Sequence, residues 1–250
     1  MTALEFDRRG AGGDWTVLLV HGLGGRRAQV EALAEELSRD ASVVTVDLLG
    51  HGTSPVGPAG GTLRAQVEAL AEVVAELAGP RLAVVGHSAG GAVCLRLSTS
   101  VPGIDSVTML DTAIFDGESM VDWAAGLAAD LARDGWTDTA QALHRASLGE
   151  WAGAALAEEV EVGIRATDPA AGAALMRDIL TVDAVAEIRR SPARLCYVSA
   201  FRPIDPTRLL ASRPDLEFHR VEQSGHWVQM EHPRLVGDII RDHVLLGSAA

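Results

Sequence analysis

The chain has 250 residues, 48% of them hydrophobic, and a formal net charge of −13. That composition supplies a large buried core and excludes a globally disordered chain. The acidic balance leaves no basic footprint for nucleic acid or an anionic membrane. All 21 basic residues are arginine, so Schiff-base chemistry and a Ser-Lys dyad are excluded as well.

In chain order, the opening "MTALEFDRRG" mixes acids with arginines and has no long apolar region behind it, so no signal peptide is expected. "WTVLLVHG" (15–22) reads as a buried strand and "QVEALAEELSRD" (29–40) as an amphipathic helix. "ASVVTVDL" (41–48) is a second strand, and "TLRAQVEALAEVVAELAG" (62–79) a second helix that stops at Gly79-Pro80. "RLAVVGHS" (81–88) is a third strand, followed by a helix over 89–100, and "DSVTMLDT" (105–112) is a fourth. Unbroken apolar strands separated by helices predict an α/β fold with a mostly parallel sheet covered on both faces.

The alternation then stops. From 113 to 190 only helical periodicity is visible, as in "MVDWAAGLAADLARDGW" (120–136) and "ALAEEVEVGI" (155–164). Strands resume at "ARLCYVSAF" (193–201) and "LEFHRV" (216–221), and a helix closes the chain over 233–246. The expected organisation is a core of 1–112 and 191–250, divided by a helical insertion of 113–190. The longest apolar runs are about five or six residues, far short of a membrane span. A soluble, cytoplasmic protein is expected, with Cys94 and Cys196 as buried free thiols.

One stretch carries chemistry. In "VVGHSAGG" (84–91), Ser88 lies between a strand and a helix, with Gly86 two residues before it and Gly90 two after. A turn this tight strains the serine backbone, and side chains at the flanking positions would collide with strand and helix. It presents the hydroxyl at the sheet edge and aims the Ala89 amide at the same spot, where the helix dipole favours an oxyanion. The competing reading is a glycine turn of packing value only. Upstream, "HGLGG" (21–25) follows the first strong strand, and its glycines let the Leu23 amide act as a second oxyanion donor.

Strand–HGxxG, "DLLGHGTSP" (47–55), strand–"GHSAG", a helical insertion and a late "SGHWVQMEHP" (224–233) stand in one order. That order resembles the α/β-hydrolase family over almost the whole chain. The resemblance implies a serine hydrolase with an inserted helical cap, with Ser88 as nucleophile and His226, in the loop before the last helix, as base. The other histidines read as bracing, solvated or structural: His21 beside the oxyanion loop, His87 beside the elbow, His144 in the insertion. No pair has the HExxH spacing of a metal site, and neither metal nor cofactor is expected.

The acid has two candidates. Most members place it after the strand equivalent to "RLCYVSAF", where this chain reads "AFRPIDP" and offers only Asp205, two residues late. Some members, certain lactonases among them, place it after the preceding strand, which here is Asp111 in "TMLDTA". Asp111 is favoured and Asp205 is the alternative; Asp205 also reads as the cap of a helix beginning at Pro206.

The family resemblance makes Leu23, Trp227 and Trp123 candidates for a substrate pocket. Trp136 and Trp151 read as anchors of the insertion. The expected partner is a small molecule, and the expected reaction is cleavage of a small, largely apolar ester, lactone, thioester or amide through an acyl-enzyme. The same groups would also serve a C–C bond hydrolase, a cofactor-free oxygenase or a non-catalytic ligand-binding member. Oligomeric state is not legible in the residues.

Overall fold

A computed structural model of the protein describes residues 4–10, 12–77, 79–114, 118–201 and 204–245. Seven strands form one sheet: β1 (Phe6–Arg9), β2 (Trp15–Val20), β3 (Ser42–Val46), β4 (Arg81–His87), β5 (Ser106–Leu110), β6 (Arg194–Ser199) and β7 (Glu217–Arg220). Their spatial order is β1-β3-β2-β4-β5-β6-β7, parallel throughout except for β1, which runs antiparallel to β3. The six expected strands are all present. β1 is an addition, a short half-exposed edge strand of sequence FDRR whose polar residues carry no apolar period.

The strands alternate because both faces of the sheet are covered. In β2, Leu18 and Val20 enter one core and Trp15, Val17 and Leu19 the other. The first core is closed by α2 (Leu63–Glu76) and α3 (Ala89–Ser100), the second by α1 (Glu31–Leu37) and the C-terminal helix Pro233–Leu245. Thr62 caps α2 by accepting a hydrogen bond from the Ala65 amide at 3.2 Å. Cys94 and Cys196 are buried free thiols, and burial pushes both thiol pKa values up.

Between β5 and β6 the described residues contain four helices and no strand: α4 (Glu118–Ser147), α5 (Ala154–Arg165), α6 (Pro169–Thr181) and α7 (Ala184–Arg190). α4 is broken at Gly135, whose φ of 79° and ψ of −178° are not helical. The helical periodicity seen over 120–136 thus runs up to this break, and helix continues beyond it to Ser147. Asp168 and Asp183 cap α6 and α7, and Pro169 fills the first position of α6. The insertion encloses a small core of its own, with Leu131, Trp136, Val160, Ile164 and Met176 packed with Trp227.

The insertion is tied to the sheet domain through α5 and α7. Arg26, after β2, makes a two-pronged pair with Glu159 of α5 at 2.7 and 2.6 Å. Buried Glu187 of α7 accepts from Thr99 of α3 at 2.9 Å and pairs with Arg96 of α3 at 3.0 Å. Among the described residues no helix is long and apolar enough to cross a membrane.

Candidate active site

The chain leaves β2 toward β3 on one side and later returns to β4 on the other. A topological switch point therefore lies between β2 and β4, and crevices outside the carboxyl ends of parallel strands form there. Register decides what meets at this point. Val20 pairs with Gly86 and His87 with Leu110, so the residues just beyond these ends, Gly22, Ser88 and Asp111, are neighbours.

Ser88 has φ 53° and ψ −119°, a left-handed conformation for a residue with a side chain. Its N–H donates to the Leu110 carbonyl at 2.8 Å, which stitches the turn to β5. The flanking glycines are required by space. A Cβ on Gly86 would lie 2.2 Å from the Gly90 oxygen, and one on Gly90 would lie 2.3 Å from the His21 oxygen. Gly22 packs on the same turn, where a Cβ would come within 3.2 Å of Ser88 Cβ.

The loop after β2 is braced from behind. The Leu48 amide donates to His21 Nε2 at 3.0 Å, so the ring proton sits on Nδ1 and is donated to the Gly22 oxygen at 2.7 Å. Burial lowers the His21 pKa and keeps the ring neutral. The Gly25 amide closes a turn onto the Gly22 carbonyl at 3.0 Å, with Leu23 at its second position. The amides of Leu23 and Ala89 thus belong to two turns that meet beside Ser88.

The two candidate acids are separated by geometry. Asp111, fully buried just after β5, places Oδ2 at 2.7 Å from His226 Nδ1. Its other oxygen accepts from the Ala200 amide at 2.9 Å, and its own N–H donates to the Val198 carbonyl at 2.8 Å. It too has a positive φ, 45°. Tyr197 steadies the next residue by donating its hydroxyl to the Thr112 carbonyl at 2.5 Å. Asp205 is exposed and does what the cap reading describes: it accepts from the Thr207 amide at 2.9 Å and starts the helix Pro206–Ser212. Asp205, the alternative acid, is thus the cap of that helix, and the carboxylate against His226 is that of Asp111.

His226 is buried, with its ring 4.5 Å from that of His87, which donates through Nε2 to the His226 carbonyl at 2.9 Å. The His226 amide in turn donates to the carbonyl of Ser147, the last residue of α4, at 3.2 Å. The loop that carries the histidine is thus hydrogen-bonded to the insertion.

Ser88 and His226 open on one narrow cavity of about 40 Å³, room for roughly three waters. Leu23 and Ala89 line it from the sheet side, Ala113 from the start of the insertion just after β5, and Trp123, Leu127, Leu143, Met176, Ile179 and Leu180 from its helices. Leu23 and Trp123, two of the three pocket candidates, line this cavity. Trp227 is not among the lining residues. Its buried ring is set edge-on to His226 at 5.2 Å and to His144 at 5.4 Å, facing the core of the insertion. Trp136 packs in that same core and Trp151 is exposed. Two residues with no signal in the sequence, His144 and Ser147, also line the cavity. Among the described residues no group of three or more His, Cys, Asp or Glu side chains is disposed to hold a metal.

Residues 17–239 match the model of the alpha/beta hydrolase family. The chain belongs to that family. Among curated proteins it is 33% identical over 151 residues to the lipase LipV of Mycobacterium tuberculosis, a match covering 60% of this chain and 56% of that protein. The chain thus spans little more than half the length of that relative. A hydrolase from Oleispira antarctica superposes with a TM-score of 0.82 at 19% identity, covering 94% of this chain and 92% of that one. A thermophilic esterase from Thermogutta terrifontis superposes with a TM-score of 0.78 at 23% identity, covering 96% and 92%. At those identities the likeness is one of fold.

Proposed function

We propose that this protein is a serine hydrolase that cleaves a small, largely apolar ester, lactone, thioester or amide through an acyl-enzyme. The observation that carries the reading is the buried 2.7 Å contact of His226 Nδ1 with Asp111, beside a serine held at positive φ on the same cavity. Asp111 is acceptor to two N–H groups, which fits a charged carboxylate and holds the His226 proton on Nδ1. Nε2 is then the nitrogen that takes the Ser88 proton.

In the first half-reaction Ser88 Oγ attacks the carbonyl carbon while His226 receives its proton. The Leu23 and Ala89 amides hold the oxyanion, and the dipole of the twelve-residue α3 adds to them. Collapse breaks the bond to the leaving group, which departs with the proton from His226. Water then attacks the acyl-enzyme, giving its proton to His226, and the acid leaves as Ser88 is reprotonated. The cavity's volume and apolar walls favour a short acyl group, and the inserted helices act as its cap. A supply of short-chain p-nitrophenyl esters tests the reading. Ser88→Ala is expected to lower kcat by about 10⁴-fold or more with the folded state retained; hydrolysis at the wild-type rate would remove Ser88 from the mechanism.

A further inference from the structure

The cavity is apolar apart from four side chains, and two of these, His144 and Ser147, take no part in the proposed bond cleavage. They stand three residues apart on the second segment of α4, which places them on one helix face. Both are buried, at 6% and 5% exposure. In a wall of leucine, isoleucine and methionine, a few placed polar groups fix the orientation of a bound molecule and set its specificity. Nothing in the chemistry of the acyl-enzyme requires either group there.

We propose that His144 and Ser147 form a polar subsite for a hydroxyl group on the acyl chain, within about three bonds of the scissile carbonyl. This rests on the hydrolase reading and names its substrate class: short hydroxyacyl esters or the corresponding lactones. The hydrogen-bond roles are complementary. The Ser147 hydroxyl donates to the Leu143 carbonyl at 2.9 Å, so toward the cavity it offers acceptor lone pairs. An imidazole always carries at least one ring N–H, and in this proposal His144 directs it to the substrate hydroxyl. A substrate hydroxyl donates to Ser147 Oγ and accepts from His144, so one substrate group engages both side chains.

The distance from the carbonyl follows from where His144 sits. A Cβ built on Gly24 would meet His144 Cε1 at 3.0 Å, so the ring lies against the loop that carries the Leu23 amide. A group bonded to His144 is therefore close to the carbonyl oxygen and not at the far end of a long chain. The Trp227 ring, edge-on to His144 at 5.4 Å, holds the imidazole from the side.

The test compares p-nitrophenyl butyrate with its 3-hydroxy analogue, as a ratio of kcat/KM, in wild type, His144→Phe, His144→Gln and Ser147→Ala. Phe keeps a ring against Trp227, and Ser147→Ala keeps the backbone carbonyl that receives the His226 amide. Wild type is expected to prefer the hydroxylated ester. His144→Phe and Ser147→Ala each lower that preference by about tenfold, and His144→Gln restores part of it. A fluorophosphonate adduct on Ser88 of each variant reports the bond-breaking machinery separately. Adduct formation with no wild-type preference for the hydroxylated ester, or equal loss on both esters, overturns the subsite alone. Absence of the wild-type adduct overturns the hydrolase reading and the subsite with it.

Discussion

At the carboxyl ends of β2, β4 and β5, strand register dictates position, whereas in the insertion helix packing dictates it. Ser88 and Asp111 each follow their strand by one residue and are held by backbone bonds to the next strand, Ser88 to Leu110 and Asp111 to Val198. Both have positive φ, a conformation that persists only where surrounding structure over-determines it. The insertion meets the sheet domain through isolated backbone bonds, from Asp168 N–H to the Gly50 carbonyl and from His226 N–H to the Ser147 carbonyl, with no strand ladder behind them among the described residues. It is also bound through the Arg26–Glu159 pair, the Glu187 contacts and glycine-tight packing such as Gly163 against the Gly24 carbonyl. Change at the strand ends should therefore alter chemistry by orders of magnitude, and change in the insertion should alter fit and stability by smaller amounts.

The largest expected effect is on the sheet side. Asp111→Asn should lower kcat by about 10⁴-fold, because the amide loses the charge and the tautomer control of His226. Steady-state kinetics on a short ester measures it, and a loss below about tenfold would move the acid elsewhere.

The sheet domain should also be the acid-sensitive region. His51 is fully buried and its pKa is lowered to about 3, burial being the main cause and the neighbouring His21 adding to it. In the unfolded chain it protonates near the usual value of about 6.5. Below that pH the unfolded state binds more protons, so stability is complete above about 6.5 and falls as pH drops toward about 3. His51 alone should remove about 2 kcal/mol between about pH 6.5 and about pH 5, with His21 acting in the same direction. Urea denaturation at the two pH values reads this, and a His51→Gln variant should show a smaller difference. An identical pH dependence in the variant would contradict the assignment.

In the insertion, Gly163→Ala would place a methyl 2.4 Å from the Gly24 oxygen and push α5 off the loop. A loss of about 1–3 kcal/mol is expected, with Ser88 still reactive to a fluorophosphonate. Loss of that labelling in a folded variant would show that the insertion helps to build the oxyanion loop. The smallest effect belongs to Asp205→Ala, which should cost about 1 kcal/mol as a lost cap and leave kcat unaltered. A fall in kcat to the level of Asp111→Asn would reverse the choice of acid.

The same division decided what was legible in the residues. Apolar strands, the glycines around Ser88 and the loop of His226 are local signals, and the register turned them into a site. Position along the chain favoured Asp111 over Asp205, but the contact of Asp111 with His226, 115 residues away, is a tertiary feature that spacing does not carry. β1 escaped notice because an edge strand of FDRR has no apolar period. His144 and Ser147 were hidden by the break at Gly135, since helical periodicity does not report the direction of a segment beyond a kink. Trp227 follows His226 directly in sequence, yet its ring packs with the insertion, a choice made by tertiary packing alone.

In the proposed mechanism His226 and Asp111 together activate Ser88. The most direct measurement is fluorophosphonate labelling of wild type, Ser88→Ala and Asp111→Asn, with the adduct located by mass spectrometry. One adduct on Ser88 is expected in wild type, none in Ser88→Ala, and labelling slowed by orders of magnitude in Asp111→Asn. No adduct on folded wild type, or equal labelling of wild type and Asp111→Asn, would contradict the mechanism.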